Sequence, residues 1–152
     1  MKKTLYLMRH GQTLFNLQHK IQGWCDAPLT PLGIKQAQMA KEYFVNNQIT
    51  LDHAYASTSE RASDTLEIIT DMPYTRLKGL KEWNFGAFEG KDECLNPKLP
   101  YGDFFKQFGG ESELELRERM NKTLTEIMSK DDHQVVLAVS HGAACAQFYR
   151  AW

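Results

Sequence analysis

The sequence predicts an α/β fold, a three-layer αβα sandwich around a mostly parallel, doubly wound sheet, and two runs carry that expectation. Leu5-Tyr6-Leu7-Met8 is uninterrupted and apolar, then stops at Arg9-His10-Gly11. Val135-Val136-Leu137-Ala138-Val139 repeats the design and stops at Ser140-His141-Gly142. Short apolar runs closed by a polar pair and a glycine read as strands buried on both faces, as in helix-covered parallel sheets. Helical patterns lie between the runs, as crossover connections require.

Along the chain each element has a local reason. Gly11 is read as permitting a sharp turn out of the first strand. The stretch from Gln12 to Trp24 is long for a plain connection and carries one expected helical turn near Phe15. Thr13 and Asn16 place short hydrogen-bonding groups close to the strand end, suited to an anion, although turn chemistry alone accounts for either. Thr30-Pro31 supplies an N-cap and a first helical residue, followed by a stripe of Ile34, Ala37, Ala40 and Phe44, with Tyr43 beside it. His53–Ala56 is a second strand, and Ser57-Thr58-Ser59 offers caps for a helix whose apolar face is Ala62, Leu66 and Ile69. Arg61 falls in that helix's first turn, opposed to the dipole; an anion held between Arg61 and the helix amides would explain it, and so would solvent exposure.

Tyr74–Leu80 reads as a third strand that leads to Glu82, which stands before the aromatic, glycine-rich Trp83–Gly90. Aromatic walls would raise that carboxyl's pKa, the condition a general acid needs, whereas a solvated loop glutamate would keep its ordinary value. Residues 91–110, with their prolines, glycines and Phe104, Phe105 and Phe108, read as a lid-like insertion with one short helix. Ser112 and Glu115 form a capping box for a long helix buried along Leu116, Met120, Leu124, Ile127 and Met128.

Chain-wide properties exclude several functions. At 152 residues there is room for one domain, 1–152, with a real core. A net charge of −1 without a Lys/Arg-rich run argues against a nucleic-acid partner. No apolar stretch approaches the roughly eighteen residues of a membrane span, and none resembles a signal peptide, so the expected location is cytoplasmic. Cys25, Cys94 and Cys145 lack the spacing of structural zinc or a disulfide framework and are expected as reduced thiols.

Taken in order, the motifs resemble the histidine phosphatase superfamily, also called the phosphoglycerate mutase-like family. RHGQTLFN at Arg9–Asn16, QGWCDAPLTPLGIKQA at Gln22–Ala37, STSERASDT around Arg61, LKEWNFGAFEG around Glu82, GGES at Gly109–Ser112 and SHG at Ser140–Gly142 follow the family's order over nearly the whole chain. The resemblance implies the phosphoglycerate mutase-like fold and a phosphohistidine mechanism acting on a small phosphomonoester. His10 would be the nucleophile, attacking from a neutral nitrogen. Arg9, Arg61 and His141 would bind the phosphoryl group, and Glu82 would serve as general acid and base. Thr13, Asn16 and the region of Gln22, Gly23 and Gly142 would add substrate contacts. No metal and no cofactor are expected.

Within the family, hydrolysis is expected over mutase activity. The insertion carries Lys91, Lys98 and Lys106 where mutases place paired arginines, and Ala143 follows the second His-Gly where mutases have asparagine. A phosphoglycerate mutase and a low-turnover module that binds phosphorylated ligands are the alternatives. The aromatic insertion suggests a phosphoester with apolar character. Family members continue for tens of residues past the position of Trp152, so missing C-terminal edge elements are expected to leave apolar surface open and to invite a homodimer.

Overall fold

The computed structural model describes residues 2–152. Its sheet holds β1 (Thr4–Arg9), β2 (His53–Ser57), β3 (Thr75–Leu77) and β4 (Val135–Ser140), all parallel, in the order β1-β4-β2-β3. The helices are α1 (Leu14–Leu17), α2 (Pro31–Asn46), α3 (Glu60–Ile69), α4 (Glu113–Ser129) and α5 (Gly142–Ala151). Alternation along each strand divides the core in two. Tyr6, Met8, Ala54, Ala56, Leu137 and Val139 face Ala37 and Phe44 of α2 and Ala62, Leu66 and Ile69 of α3. Leu5, Leu7, Tyr55, Val136 and Ala138 face Leu116, Met120, Leu124 and Ile127 of α4 and Ala144 and Phe148 of α5. These are the two helical layers of an αβα sandwich.

The two founding runs differ in position. Val136–Val139 are fully buried in the central strand β4, whereas β1 lies at the edge of the sheet and is only partly buried. Its run is apolar because both faces meet helices, but among the described residues one flank carries no neighbouring strand. Beside that open edge a groove is lined by Leu5, Leu7, Cys145, Phe148, Tyr149 and Trp152.

Local signals place most boundaries. Thr30 accepts from the Gly33 amide and Pro31 opens α2. Ser112 and Glu115 make the reciprocal capping box of α4. The stripe expected in α2 is shifted, because Ile34 and Tyr43 are exposed while Gly33, Ala37 and Phe44 carry the contact. The third strand is shorter than expected: Lys78–Leu80 winds into a 3-10 turn that buries Leu80 and lowers the chain to the sheet's carboxyl edge.

Residues 91–110 contain two 3-10 turns, Glu93–Leu95 and Phe104–Phe108. This insertion is fastened by backbone bonds from Ile21 N to Lys91 O, Gly90 N to Ile21 O and Glu93 N to His19 O. Among the described residues no helix is long and apolar enough to cross a membrane, and all three cysteines are free thiols.

Candidate active site

The carboxyl ends of the strands converge as the parallel topology requires. The His10 amide donates to the Ser140 carbonyl at 3.0 Å, extending the β1–β4 ladder and holding the residue rigidly. His10 Nδ1 lies 2.6 Å from the Gly11 carbonyl, an acceptor that demands a proton on Nδ1 and leaves the lone pair on Nε2. Arg61 Nε donates to that nitrogen at 3.3 Å. Burial, and then the charge of Arg61, push the His10 pKa down to about 3, with Arg9 adding to the effect. The ring is therefore neutral, and nucleophilic at Nε2, throughout the physiological range.

Gly11 serves a different purpose from the one read in the sequence. Its φ is not positive; instead a Cβ there would run into the Gly33 carbonyl, and one at Gly33 into the Gln12 carbonyl. These paired glycines let the start of α2 close against the turn after His10.

His141 follows β4 and packs edge-on against His10, with ring centroids 5.2 Å apart. It is wholly buried. Its Nε2 meets Ser57 Oγ at 2.8 Å, at the end of β2, while Nδ1 is buried without a partner. Burial and the Arg61 charge drive its pKa well below the usual histidine range. In the free protein the ring is thus held toward its neutral form, which can still offer a hydrogen bond.

Arg61 is 1% exposed and largely committed within the protein. Its guanidinium donates to the carbonyls of Cys25 at 2.7 Å and Gly23 at 2.6 Å, and pairs with Asp26 Oδ1 at 2.9 Å. Asp26 Oδ2 also accepts from the Glu60 and Arg61 amides at 2.6 and 3.4 Å, while Ser59 at the N-cap position makes no side-chain cap bond. The anion that the sequence argument placed between Arg61 and the helix amides is thus Asp26, a residue of the protein. Gln22, with its amide nitrogen on Thr13 Oγ1, turns its oxygen to Arg61 Nε at 2.9 Å and so shares that single N–H with His10.

Glu82 is buried beside the amino end of α5. One oxygen accepts from the Trp83 and Ala144 amides at 2.8 and 2.9 Å, the other from the Ala143 amide at 3.1 Å. Those bonds favour the carboxylate, yet burial outweighs them and the pKa is raised. The solvated alternative is thereby excluded.

Arg9 contrasts with Arg61. It is exposed and, among the described residues, has no hydrogen bond or ion pair. Gly142 lies against it, since a Cβ at Gly142 would sit 3.5 Å from its guanidinium. Thr13 caps α1, and its amide and hydroxyl both reach Asn16 Oδ1, at 3.0 and 3.1 Å, so Thr13 performs turn chemistry. With Oδ1 occupied, Asn16 keeps its NH2, a donor, for the cleft it lines.

That cleft brings together Arg9, His10, Asn16, Gln22, Gly23, Arg61 and Glu82, with Lys20, Glu93 and Asn96 at its rim, and a second cavity joins it over Arg9, His10 and Asn16. Thr13, His141 and Gly142 stand behind this lining. The aromatic insertion does not face the cleft as expected. Phe104, Phe105 and Phe108 pack against one another and against Phe88, and Phe105 also meets Trp83 and Phe85. Among the described aromatic residues only Phe85 reaches the lining.

The sequence reading missed Asp26, Ser57, Thr65 and Glu89. Glu89 accepts from the Trp24, Cys25 and Phe85 amides and ties two loops together. Thr65 Oγ1 takes the Gly11 amide at 3.1 Å. None of the four has a local signal: Asp26 lies 34 residues before the Glu60 amide that it caps, and the others likewise depend on contacts between distant segments.

Residues 5–152 match the family model described as histidine phosphatase superfamily (branch 1). A probable phosphoglycerate mutase of Yersinia pestis (strain Pestoides F) is 34% identical over 154 aligned residues, covering 92% of this chain and 70% of that protein. The crystal structure of a phosphoserine phosphatase from Entamoeba histolytica, in complex with 3-phosphoglyceric acid, superposes with a TM-score of 0.81 at 32% identity, covering 95% of this chain and 77% of that one. A phosphoglycerate mutase from Bacillus anthracis superposes at 0.86 with 26% identity, covering 98% and 79%.

Proposed function

Because this chain belongs to the histidine phosphatase superfamily, we propose that it hydrolyses phosphomonoesters through a phosphohistidine formed on His10. The observation that carries the reading is one cleft holding a neutral imidazole with its lone pair on Nε2 and a buried carboxyl whose pKa is raised. Candidate nucleophile and proton donor thus line one cleft, and burial moves the carboxyl toward the acid form that protonates a leaving group.

In this mechanism His10 Nε2 attacks phosphorus while Glu82 protonates the departing alkoxide. Glu82 then takes a proton from the water that attacks the phosphohistidine, releasing phosphate and restoring its own proton. Arg9 meets the equatorial oxygens as the uncommitted cation, joined by the NH2 of Asn16. Arg61 orients His10 and contributes charge, and the uncharged His141 contributes a hydrogen bond. Lys20, Glu93 and Asn96 give the cleft a polar rim, which favours a small, polar alcohol half over an apolar one.

The test is phosphate release from a panel of phosphomonoesters, without added bisphosphoglycerate, by wild type and His10→Ala. Hydrolysis by wild type that is lost in the variant supports the reading. The alternative, a mutase, draws on the names of the relatives. Interconversion of phosphoglycerates that depends on a bisphosphorylated primer, with no net phosphate release, would establish it instead.

A further inference from the structure

At the opposite end of the sheet, the amino ends of β2 and β4 bring together residues that the phosphatase reading does not use. We propose that His53, Asp132 and His133 form a binding site for a divalent transition-metal ion of the zinc class. One donor atom from each lies within 4.8 Å of the others. His53 Nε2 is 3.2 Å from Asp132 Oδ2, and His133 Nδ1 is 2.7 Å from Asp132 Oδ1, so both imidazoles turn a nitrogen toward one carboxylate. Two imidazoles and a carboxylate are a donor set suited to zinc, with room for water in a fourth position.

The surroundings resemble the outer shell that orients metal-bound histidines. His53 Nδ1 meets Asp52 Oδ1 at 2.9 Å, and the other Asp52 oxygen accepts the Gln134 and Val135 amides, both at 2.8 Å. His133 Nε2 meets the Tyr55 hydroxyl at 2.7 Å, a group that can donate or accept and so serves either tautomer. Lys130 Nζ, 3.3 Å from that hydroxyl, is the opposing charge, and it lies on the far side of His133 from Asp132's bond to Nδ1.

His53 supplies a separate argument. Both of its nitrogens face carboxylate oxygens, so a neutral ring leaves one pair acceptor against acceptor. A proton or a metal ion on Nε2 resolves that conflict, and only the metal ion also uses the convergence of His133 on the same carboxylate. The two rings are stacked with centroids 3.6 Å apart and planes 14° apart. Binding therefore requires the half-exposed His53 to tilt, while His133, buried, stays in place.

The experiment is competition for Zn2+ between the full chain and a chromophoric chelator near pH 7.5, for wild type, His53→Gln, Asp132→Asn and a variant with all cysteines changed to serine. Asp132 is exposed, so its variant retains the fold, which circular dichroism verifies. The expected result is one bound equivalent in wild type and in the cysteine-free variant, weakened at least tenfold in both His53→Gln and Asp132→Asn; Asp52→Asn should weaken it about 10–100-fold as an outer-shell change. No bound equivalent in wild type, or an affinity unchanged in His53→Gln and Asp132→Asn, overturns the proposal and leaves a proton-bridged network. Phosphate release measured separately reads the other end of the sheet and does not decide this result.

Discussion

Replacing Asp26 with alanine tests the architecture that presents Arg61 to His10. Asp26 does two things: one oxygen caps α3 through the Glu60 amide, and the other pairs with a guanidinium that is 1% exposed. Loss of the cap costs about 1 kcal/mol. Loss of a charge-assisted bond to the buried cation costs about 1.5–3 kcal/mol. The Asp26 side chain is 31% exposed, which screens the pair, and Arg61 keeps the Gly23 and Cys25 carbonyls. A total of about 2–3 kcal/mol follows, seen in urea unfolding and as a fall in Tm of roughly 5–10 °C. Asp26→Asn keeps an oxygen able to cap α3 but loses the charge, so it should fall between wild type and alanine. Phosphatase turnover should drop in the same order as Arg61 loses its orientation. An alanine variant within about 0.5 kcal/mol of wild type, with unchanged turnover, would refute this account of Arg61.

Other expectations concern the cleft itself. Glu82→Gln should slow hydrolysis of alkyl phosphates by about 10²–10⁴-fold but cost far less with p-nitrophenyl phosphate, whose leaving group needs no proton; equal losses on both would deny Glu82 its acid role. Arg9→Ala should raise KM while unfolding free energy stays within about 0.5 kcal/mol of wild type, because the side chain has no partner to lose; steady-state kinetics and urea titration separate the two. His10 has a folded-state pKa of about 3 against the ordinary 6.5, so between those values the unfolded chain binds the extra proton. Its contribution to stability is constant above pH 6.5 and declines as pH falls toward 3. The raised pKa of Glu82 acts in the opposite sense above its ordinary 4.5. Unfolding titrations from pH 8 to pH 5 should show a slope that His10→Asn reduces, and an unchanged slope would contradict the buried neutral ring. Gly33→Ala should destabilise by about 1–3 kcal/mol, since its Cβ meets the Gln12 carbonyl, and thermal unfolding measures it.

What the sequence made legible was local. Caps, the β4 run and the two strand-end histidines are written within a few residues of one another, and they led to the sheet, its helical layers and the convergence at one edge. Roles that depend on distant partners were not legible. Arg61 reads as a cation in need of an anion, and only the fold identifies that anion as Asp26. Position within the sheet is likewise silent in composition: Leu5–Met8 and Val136–Val139 look alike, yet one run is an edge strand. The phenylalanines of the insertion are an apolar tally until packing turns them toward each other and away from the cleft. Gly11 shows the same limit, because the residue that requires it, Gly33, lies on α2.

The proposed mechanism depends most on covalent phosphorylation of His10. Mixing the protein with a substrate chosen from the panel, quenching in alkali within one turnover and mapping the peptides by mass spectrometry reads it directly. The account predicts one acid-labile phosphate on the peptide containing His10, absent in His10→Ala. Phosphate on another residue, or undiminished hydrolysis by His10→Ala, would contradict it.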